Sequence, residues 1–179
     1  MRIVSSVLVI VQIVFLSCLP CSFAANLTLN STPVQILFSP DDNCTDAIVN
    51  EINKAKANIY VQAFSFTSED TATALINAHK KGVHVEIILD KSNRSIKNSA
   101  GDLTERAGIP TYVDTHHAIA NNKVIIIDGE TLITGSFNFS KAAEEKNAEN
   151  LLVIKNKDLA AIYQKNWEKH KKHSEKHWK

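Results

Sequence analysis

The sequence contains few of the residues that characterise disulfide-rich, fibrous and disordered proteins. Its 179 residues include 3 Cys, 1 Met, 5 Gly and 4 Pro. This composition excludes a disulfide scaffold, a collagen-like fibre and a disordered chain rich in Pro and Gly. A charge excess is also lacking, because 20 Lys and Arg face 19 Asp and Glu. Proteins that hold a polyanion by bulk charge usually carry a clear basic excess, so any anion site must be local.

The N-terminus differs in composition from the rest of the chain. Arg2 precedes an apolar run at residues 3–19, and small residues surround a cleavage point after Ala24. This pattern predicts a signal peptide over residues 1–24, and hence export to the periplasm or secretion. The alternative is a membrane anchor formed by residues 3–19, whose length is near the lower limit for a bilayer span.

The remaining chain is predicted to be a flexible lead at residues 25–32 followed by one domain at residues 33–179. Cys44 is then without an intrachain partner, and we expect it to be a small residue partly buried near a helix start. Strand and helix patterns alternate first, and a hairpin turn at residues 128–130 comes later. This order predicts an α/β fold with a mixed sheet flanked by helices on both faces.

The individual elements follow from hydrophobic periodicity and from turn residues. Residues 91–100 are polar and predicted to be a loop. Strands are predicted at residues 34–38, 58–66, 83–89, 109–113, 119–127, 131–137 and 149–154, and helices at 45–56, 69–81, 101–107 and from 158 onwards.

The candidate functional residues lie in one spaced motif. Lys123 and Asp128 stand in a Lys-x4-Asp spacing, and Gly135-Ser136-Phe137-Asn138 follows. This resembles the phospholipase D superfamily, whose signature is His-x-Lys-x4-Asp followed by Gly-Ser-x-Asn. The resemblance extends to residues 38–68 and to ILDKSN at 88–93. It is nearest to the small bacterial members with one motif, which include exported endonucleases and proteins labelled phospholipase D.

One position departs from this pattern. Asn121 stands two residues before Lys123, where the family has its catalytic His. In the family mechanism one His attacks phosphorus to give a phosphohistidine, and a second His protonates the leaving oxygen. A carboxamide has no basic lone pair near neutral pH and no dissociable proton there. We therefore expect an inactive or impaired enzyme, through natural loss of activity or through deliberate substitution.

The resemblance implies roles for the other motif residues. The catalytic set is Asn121 with Lys123 and Asp128, the last as a structural or His-orienting carboxylate. Lys123, Ser136 and Asn138 would bind the substrate phosphate. Glu149 is expected to orient a catalytic His. The family chemistry needs no cofactor and no metal.

Other His residues lie near the motif and in the C-terminal tail. On an extended strand, four residues span roughly 13 Å, so His116 and His117 are predicted to form a polar loop that does not replace the missing nucleophile. In the tail, residues 170, 173 and 177 are His at helical spacing. A Lys-rich, exposed helix end explains them better than a metal site, and no metal site is predicted.

A single motif implies a homodimer, because the mechanism needs two His on one phosphorus and a two-fold contact supplies both. The substrate is predicted to be nucleic acid (DNA or RNA) or phospholipid. Residues 165–179 hold six Lys against two Glu, a patch that suits a nucleic-acid backbone or a solvated helix end. The alternatives are a phospholipase D acting on phosphatidyl headgroups and a non-catalytic nucleic-acid or phosphate-binding protein.

Overall fold

The computed structural model describes residues 25–96 and 99–176. The predicted signal peptide, the alternative anchor at residues 3–19 and His177 lie outside the described residues. Residues 25–33 have no regular secondary structure. None of the described helices combines the length and the hydropathy that a bilayer crossing requires.

The described residues form one mixed sheet of seven strands. The strands are β1 Val34–Ser39, β2 Asn58–Ala63, β3 His84–Asp90, β4 Thr111–Asp114, β5 Lys123–Ile127, β6 Thr131–Gly135 and β7 Glu149–Lys155. Their order is β1-β7-β6-β5-β2-β3-β4. β2, β3 and β4 run parallel, and every other neighbouring pair is antiparallel. The mixed sheet predicted from the sequence is confirmed.

Helices cover both faces of this sheet. They are α1 Cys44–Asn53, α2 Glu69–Lys80, α3 Ala100–Arg106, α4 Lys141–Glu145 and α5 Lys157–His173. Side chains of α1, α2 and α3 pack in the larger hydrophobic core on one face. α5 packs on the opposite face through Ala160 and Trp167. The Trp167 Nε1 donates a hydrogen bond to the Val61 carbonyl oxygen, 2.8 Å away, which fixes the helix over β2.

Side-chain caps explain where α2 and α5 begin. The Ser68 hydroxyl accepts from the Thr71 N–H at the start of α2, and the Asn156 amide oxygen accepts from the Leu159 N–H at the start of α5. These side chains satisfy N–H groups that have no partner within the helix.

Cys44 begins α1 and is fully buried. Burial, with the charges of Glu144 and Asp42, raises the pKa of its thiol to about 11, so it is unreactive at neutral pH.

The structure differs from the predicted elements at several boundaries. β2 ends at Ala63 rather than at residue 66. β5 begins at Lys123 rather than at residue 119, because the Ala120 N–H binds the Asp90 carboxylate instead of a neighbouring strand. Residues 91–95 form a 3₁₀ turn where a loop was predicted, since Asp90 also accepts from the Ser92 N–H. α4 was not predicted, because five residues are too few to show helical periodicity.

Asp128 ties the hairpin to the start of β2. Its carboxylate accepts backbone N–H groups of Lys56, Ala57 and Asn58 at 2.9, 2.8 and 3.0 Å. Burial raises the pKa of Asp128, but these hydrogen bonds outweigh it and hold the pKa below its ordinary value. The charged form is therefore the form that stabilises the fold.

The Asp128→Asn substitution should lower the free energy of unfolding by about 1–3 kcal/mol at pH 7, because one carboxylate oxygen is replaced by a group that cannot accept. A depressed folded-state pKa gives stability that is present above the unfolded pKa, about 3.9, and is lost as pH falls through the folded value. Urea unfolding at several pH values should show the wild type and the variant converging in acid. A constant difference down to pH 2 would contradict this role.

Candidate active site

The motif residues meet at one end of the antiparallel half of the sheet. Lys123 begins β5, Ser136 and Asn138 follow β6, and Glu149 begins β7. Because β5, β6 and β7 are antiparallel neighbours, the start of one strand lies beside the end of the next. A cavity of about 350 Å³ lies there and is lined by Phe64, Asn121, Lys123, Gly135, Ser136, Asn138 and Glu149.

Lys123 supplies the positive charge of this cavity. Its side chain is buried, and Nζ lies 5.2 Å from the centre of the Phe64 ring. Nζ donates to the Asn121 carbonyl oxygen at 3.2 Å and to the Asn121 side-chain oxygen. Asn121 lies just before β5 but remains beside the ammonium. Burial lowers the pKa of Lys123, and the Glu149 charge partly opposes that shift, so an anion beside the ammonium would be favourable.

Asn138 reaches the cavity because its two neighbours are anchored in the core. Phe137 and Phe139 are both buried, so the side chain between them faces the opposite way. Asn138 follows β6 in an irregular segment, and β6 ends at Gly135 rather than at the predicted residue 137. Its Oδ1 is buried without a hydrogen-bond partner among the described residues. A bound hydroxyl or water would satisfy such a group.

Ser136 is held by β7. The Asn150 N–H donates to the Ser136 hydroxyl at 3.0 Å, and the Asn150 carbonyl oxygen accepts from the N–H groups of Ser136 and Phe137. Gly135 allows this close approach, since its φ is +153° and a Cβ would overlap the Asn150 carbonyl oxygen. Asn150, which sequence reasoning did not single out, therefore sets the position of the Gly-Ser turn.

Glu149 is the acidic group of the cavity. One carboxylate oxygen accepts from the Asn147 side-chain amide at 3.1 Å.

A larger cavity of about 550 Å³ lies elsewhere and is lined by five carboxylates and one Lys. That excess of negative charge disfavours a phosphate, whereas the smaller cavity pairs its single carboxylate with a buried ammonium.

Asp128 does not join this cavity, contrary to its predicted place in the catalytic set. It follows the far end of β5, five residues from Lys123, which is about 16 Å along a strand. Its oxygens are bound to backbone N–H groups of residues 56–58. Asp128 is therefore a structural residue, which was one of the two roles that the resemblance implied.

The His residues near the motif and in the tail have other partners. His117 Nδ1 lies 2.9 Å from the Asp114 carboxylate, and its ring packs 4.9 Å from that of His170. This geometry supports the prediction that His117 does not replace the missing nucleophile. The prediction of an exposed helix end is wrong for His170 and His173, which are partly buried against Asp114.

The basic tail is only partly free to meet a polyanion. Lys171 forms an ion pair with Glu86 and lies over the rings of Tyr112 and Trp167. Its charge is therefore used within the fold. Exposed lysines on the same helix or just after it are Lys165, Lys169, Lys172 and Lys176.

A comparison with protein families matches residues 48–171 to the family described as "Cardiolipin synthase, PLD-like domain". A curated phospholipase D from Rickettsia conorii is 45% identical over 139 residues, which cover 78% of this chain and 70% of that protein. A mitochondrial cardiolipin hydrolase from Chlamydomonas reinhardtii is 32% identical over 118 residues, covering 66% of this chain and 53% of that protein.

Solved structures show the same fold. The crystal structure of Nuc from Salmonella typhimurium, a phospholipase D family member, superposes with a TM-score of 0.78 at 37% identity. The match covers 82% of this chain and 98% of the Nuc chain.

The Gly135→Ala substitution should lower the free energy of unfolding by about 1–3 kcal/mol more than Gly82→Ala, since overpacking against backbone cannot be relieved by a rotamer change. Gly82 is the matched control, because it also has positive φ, +92°, but has open space where a Cβ would lie. Urea unfolding followed by circular dichroism measures both. Equal losses would show that Asn150 does not confine the Gly-Ser turn.

Proposed function

This chain belongs to the phospholipase D superfamily, and on that premise we propose that it is an exported, metal-independent nuclease-type phosphodiesterase whose turnover is lost or impaired at Asn121. The observation that carries the proposal is the Lys123 ammonium, buried beside the residue-121 side chain in a cavity that also holds Ser136 and Asn138. Family members are phosphodiester hydrolases. The phosphate-binding groups are retained, and the nucleophile is replaced.

The retained groups suit a phosphodiester. A buried ammonium and an amide next to the reacting position can stabilise charge on the non-bridging oxygens as it develops during displacement at phosphorus. Burial lowers the pKa of Lys123, and the Glu149 charge opposes that shift only in part, so the ammonium would gain from further counter-charge. A phosphate in the cavity would supply that counter-charge.

The replaced group cannot carry the covalent step. With His at position 121, a ring nitrogen would form a P–N bond as the P–O bond to the leaving group breaks, and the leaving oxygen would take a proton from a second His. Water would then cleave the P–N bond. In this chain the Asn121 oxygen instead accepts a hydrogen bond from Lys123, and an amide nitrogen is not basic.

With His at position 121, the second His of the mechanism would have to come from another copy of the chain, because each chain holds one motif. A candidate contact surface lies on the sheet edge beside the site. Ile36 and Phe38 of β1 are 58% and 57% exposed, and Phe38 pairs with Asn150, which holds Ser136. An exposed apolar row on an unpaired edge strand is a surface that proteins usually cover. We propose that a second copy covers it and completes the site.

Nucleic acid is the substrate that the cavity and its surroundings favour. The cavity is small and lined mainly by polar side chains, with Phe64 as its large apolar group. Exposed lysines of α5 offer contacts to a phosphate backbone. The second candidate is a phosphatidyl headgroup, favoured by the names of the Rickettsia conorii and Chlamydomonas reinhardtii relatives.

The donor set of the cavity supports chemistry without a metal ion. Glu149 is the one carboxylate among the described residues that line it. Mg²⁺ in nuclease-type sites is usually bound through carboxylates together with substrate phosphate. The Lys123 ammonium, which lines the same cavity, would repel a divalent cation.

The Asn121→His substitution should raise the cleavage rate of plasmid DNA by about 10²-fold or more, since it restores a nucleophile and general acid–base group. Initial rates with and without EDTA should agree. In the Asn121→His background, Lys123→Met should lower the rate by about 10²–10³-fold, and the exposed Lys81→Met should leave it unchanged.

Rapid cleavage by the unchanged chain would contradict the role given to Asn121. Hydrolysis of phosphatidylcholine vesicles without cleavage of DNA would assign the site to the lipid alternative. Failure of the variant on both substrates, with plasmid binding retained, would favour the non-catalytic binding protein.

Sedimentation at micromolar concentration should show a dimer that the double substitution Ile36→Glu/Phe38→Glu converts to a monomer with an unchanged far-ultraviolet circular dichroism spectrum. Ile96→Glu is the matched control, because Ile96 is also an exposed apolar residue but lies away from β1. A monomeric wild type would contradict the two-chain site. A dimer that survives the double substitution would place the contact elsewhere.

A further inference from the structure

Four residues from three parts of the chain converge outside the candidate active site. Asp114 ends β4, His117 lies in the following loop, and His170 and His173 lie in the last turn of α5. One potential ligand atom from each lies within 4.8 Å of those from the other three. This cluster could not be predicted from the sequence, because positions 114–117 and 170–173 come together only in the folded chain.

The distances from Asp114 to the three imidazoles are close to those between ligands of a tetrahedral metal site. The Asp114 Oδ2 lies 2.9 Å from Nδ1 of His117, 2.9 Å from Nδ1 of His170 and 3.3 Å from Nε2 of His173. Ligands at about 2.0–2.1 Å from a tetrahedral ion lie about 3.3 Å from one another. Hydrogen bonding alone explains the geometry poorly, since three ring nitrogens converge on one oxygen with about two lone-pair sites.

The surroundings hold the carboxylate ready to bind a cation. Asp114 is fully buried, and its Oδ1 accepts the N–H groups of His116 and His117. A charged carboxylate with a fixed orientation is the arrangement that outer contacts usually give a metal ligand.

The end of α5 is also fixed beside β4. Glu175 and Val113 exchange two backbone hydrogen bonds of 2.9 Å. The loop side is held by the Lys91 ammonium, which donates to the His117 carbonyl oxygen at 3.1 Å. The four side chains therefore lie on segments that are already joined, so binding an ion would need little rearrangement.

We propose that Asp114, His117, His170 and His173 form a structural Zn²⁺ site that clamps the loop 115–122 to the C-terminal helix. Three imidazoles and one carboxylate are nitrogen and oxygen ligands that Zn²⁺ accepts. Four protein ligands close the coordination shell, as in structural sites, and leave no open position for chemistry.

The proposed Zn²⁺ site lies apart from the cavity of the candidate active site. The loop 115–122 connects the two along the chain. Lys123, Ala63, Leu89 and Val113 lie in one row across four adjacent strands, so β4 is about 14 Å from β5. The loop that leaves the cluster is held again at Ala120, by Asp90 at 2.7 Å. The next residue is 121. The ion would therefore position this loop without taking part in phosphoryl chemistry.

Calorimetric titration of the full chain, purified without an affinity tag, with Zn²⁺ alone tests the site. We expect one ion per chain and a Tm that rises by about 5–10 °C when free Zn²⁺ is about 100-fold above Kd. The double variant His170→Gln/His173→Gln should bind Zn²⁺ at least about 100-fold more weakly. These positions are preferred to 117, because the neighbouring His116 could replace that ligand.

The matched control is His79→Gln/His84→Gln, which removes two histidines outside the cluster, including one that pairs with a carboxylate. It should bind Zn²⁺ like the wild type. Absence of saturable binding at micromolar Zn²⁺, or equal binding by both double variants, would overturn the proposal. If the His170→Gln/His173→Gln variant fails to fold, a tetrahedral Co²⁺ absorption spectrum of the wild type still tests it, and an octahedral spectrum would overturn it.

EDTA separates this site from the proposed catalysis. In the Asn121→His chain, EDTA should lower the Tm while leaving the initial rate unchanged at temperatures well below it. A rate that falls at once with EDTA and returns with Zn²⁺ would show that the ion acts in the reaction, which would overturn the structural role.

Discussion

The Asp128 carboxylate joins the two halves of the sheet. By accepting three backbone N–H groups at the start of β2, it fixes β5 antiparallel to β2, at the boundary between the parallel and the antiparallel strands. The register then places Lys123 opposite Ala63 at the other end of the pair. The position of the buried ammonium thus depends on a carboxylate about 16 Å away along the strand.

The sequence predicted the mixed sheet because alternating strand and helix patterns, followed by a hairpin turn, leave few alternative arrangements. The motif also contained most of the residues that line the cavity, but not Phe64, because a spaced motif can be recognised without knowledge of distances. It misplaced Asp128, because spacing along a strand does not show which end of the strand holds the reaction. It missed Asn150, whose contribution is a backbone carbonyl and a backbone N–H that no side-chain pattern reveals.

The His cluster is a further case in which the sequence pattern did not predict which residues lie together. His170 and His173 have helical spacing, but their burial depends on how α5 packs over β4, and Asp114 is more than fifty residues earlier. Lys171 departs from the predicted solvated tail for a similar reason, because it pairs with Glu86. Long-range packing decides whether a charged side chain is solvated, paired or available to a ligand.

Position 121 links these features. It follows a loop held at His117 and Ala120 and precedes the strand that presents Lys123.

The most direct measurement is intact-mass spectrometry and peptide mapping of the Asn121→His chain, quenched in alkali during turnover of a DNA oligonucleotide. We expect a phospho-adduct on the peptide containing residue 121 and none in the unchanged chain. An adduct on His116 or His117, or rapid turnover without any adduct, would contradict the assignment of position 121 as the site of attack on phosphorus.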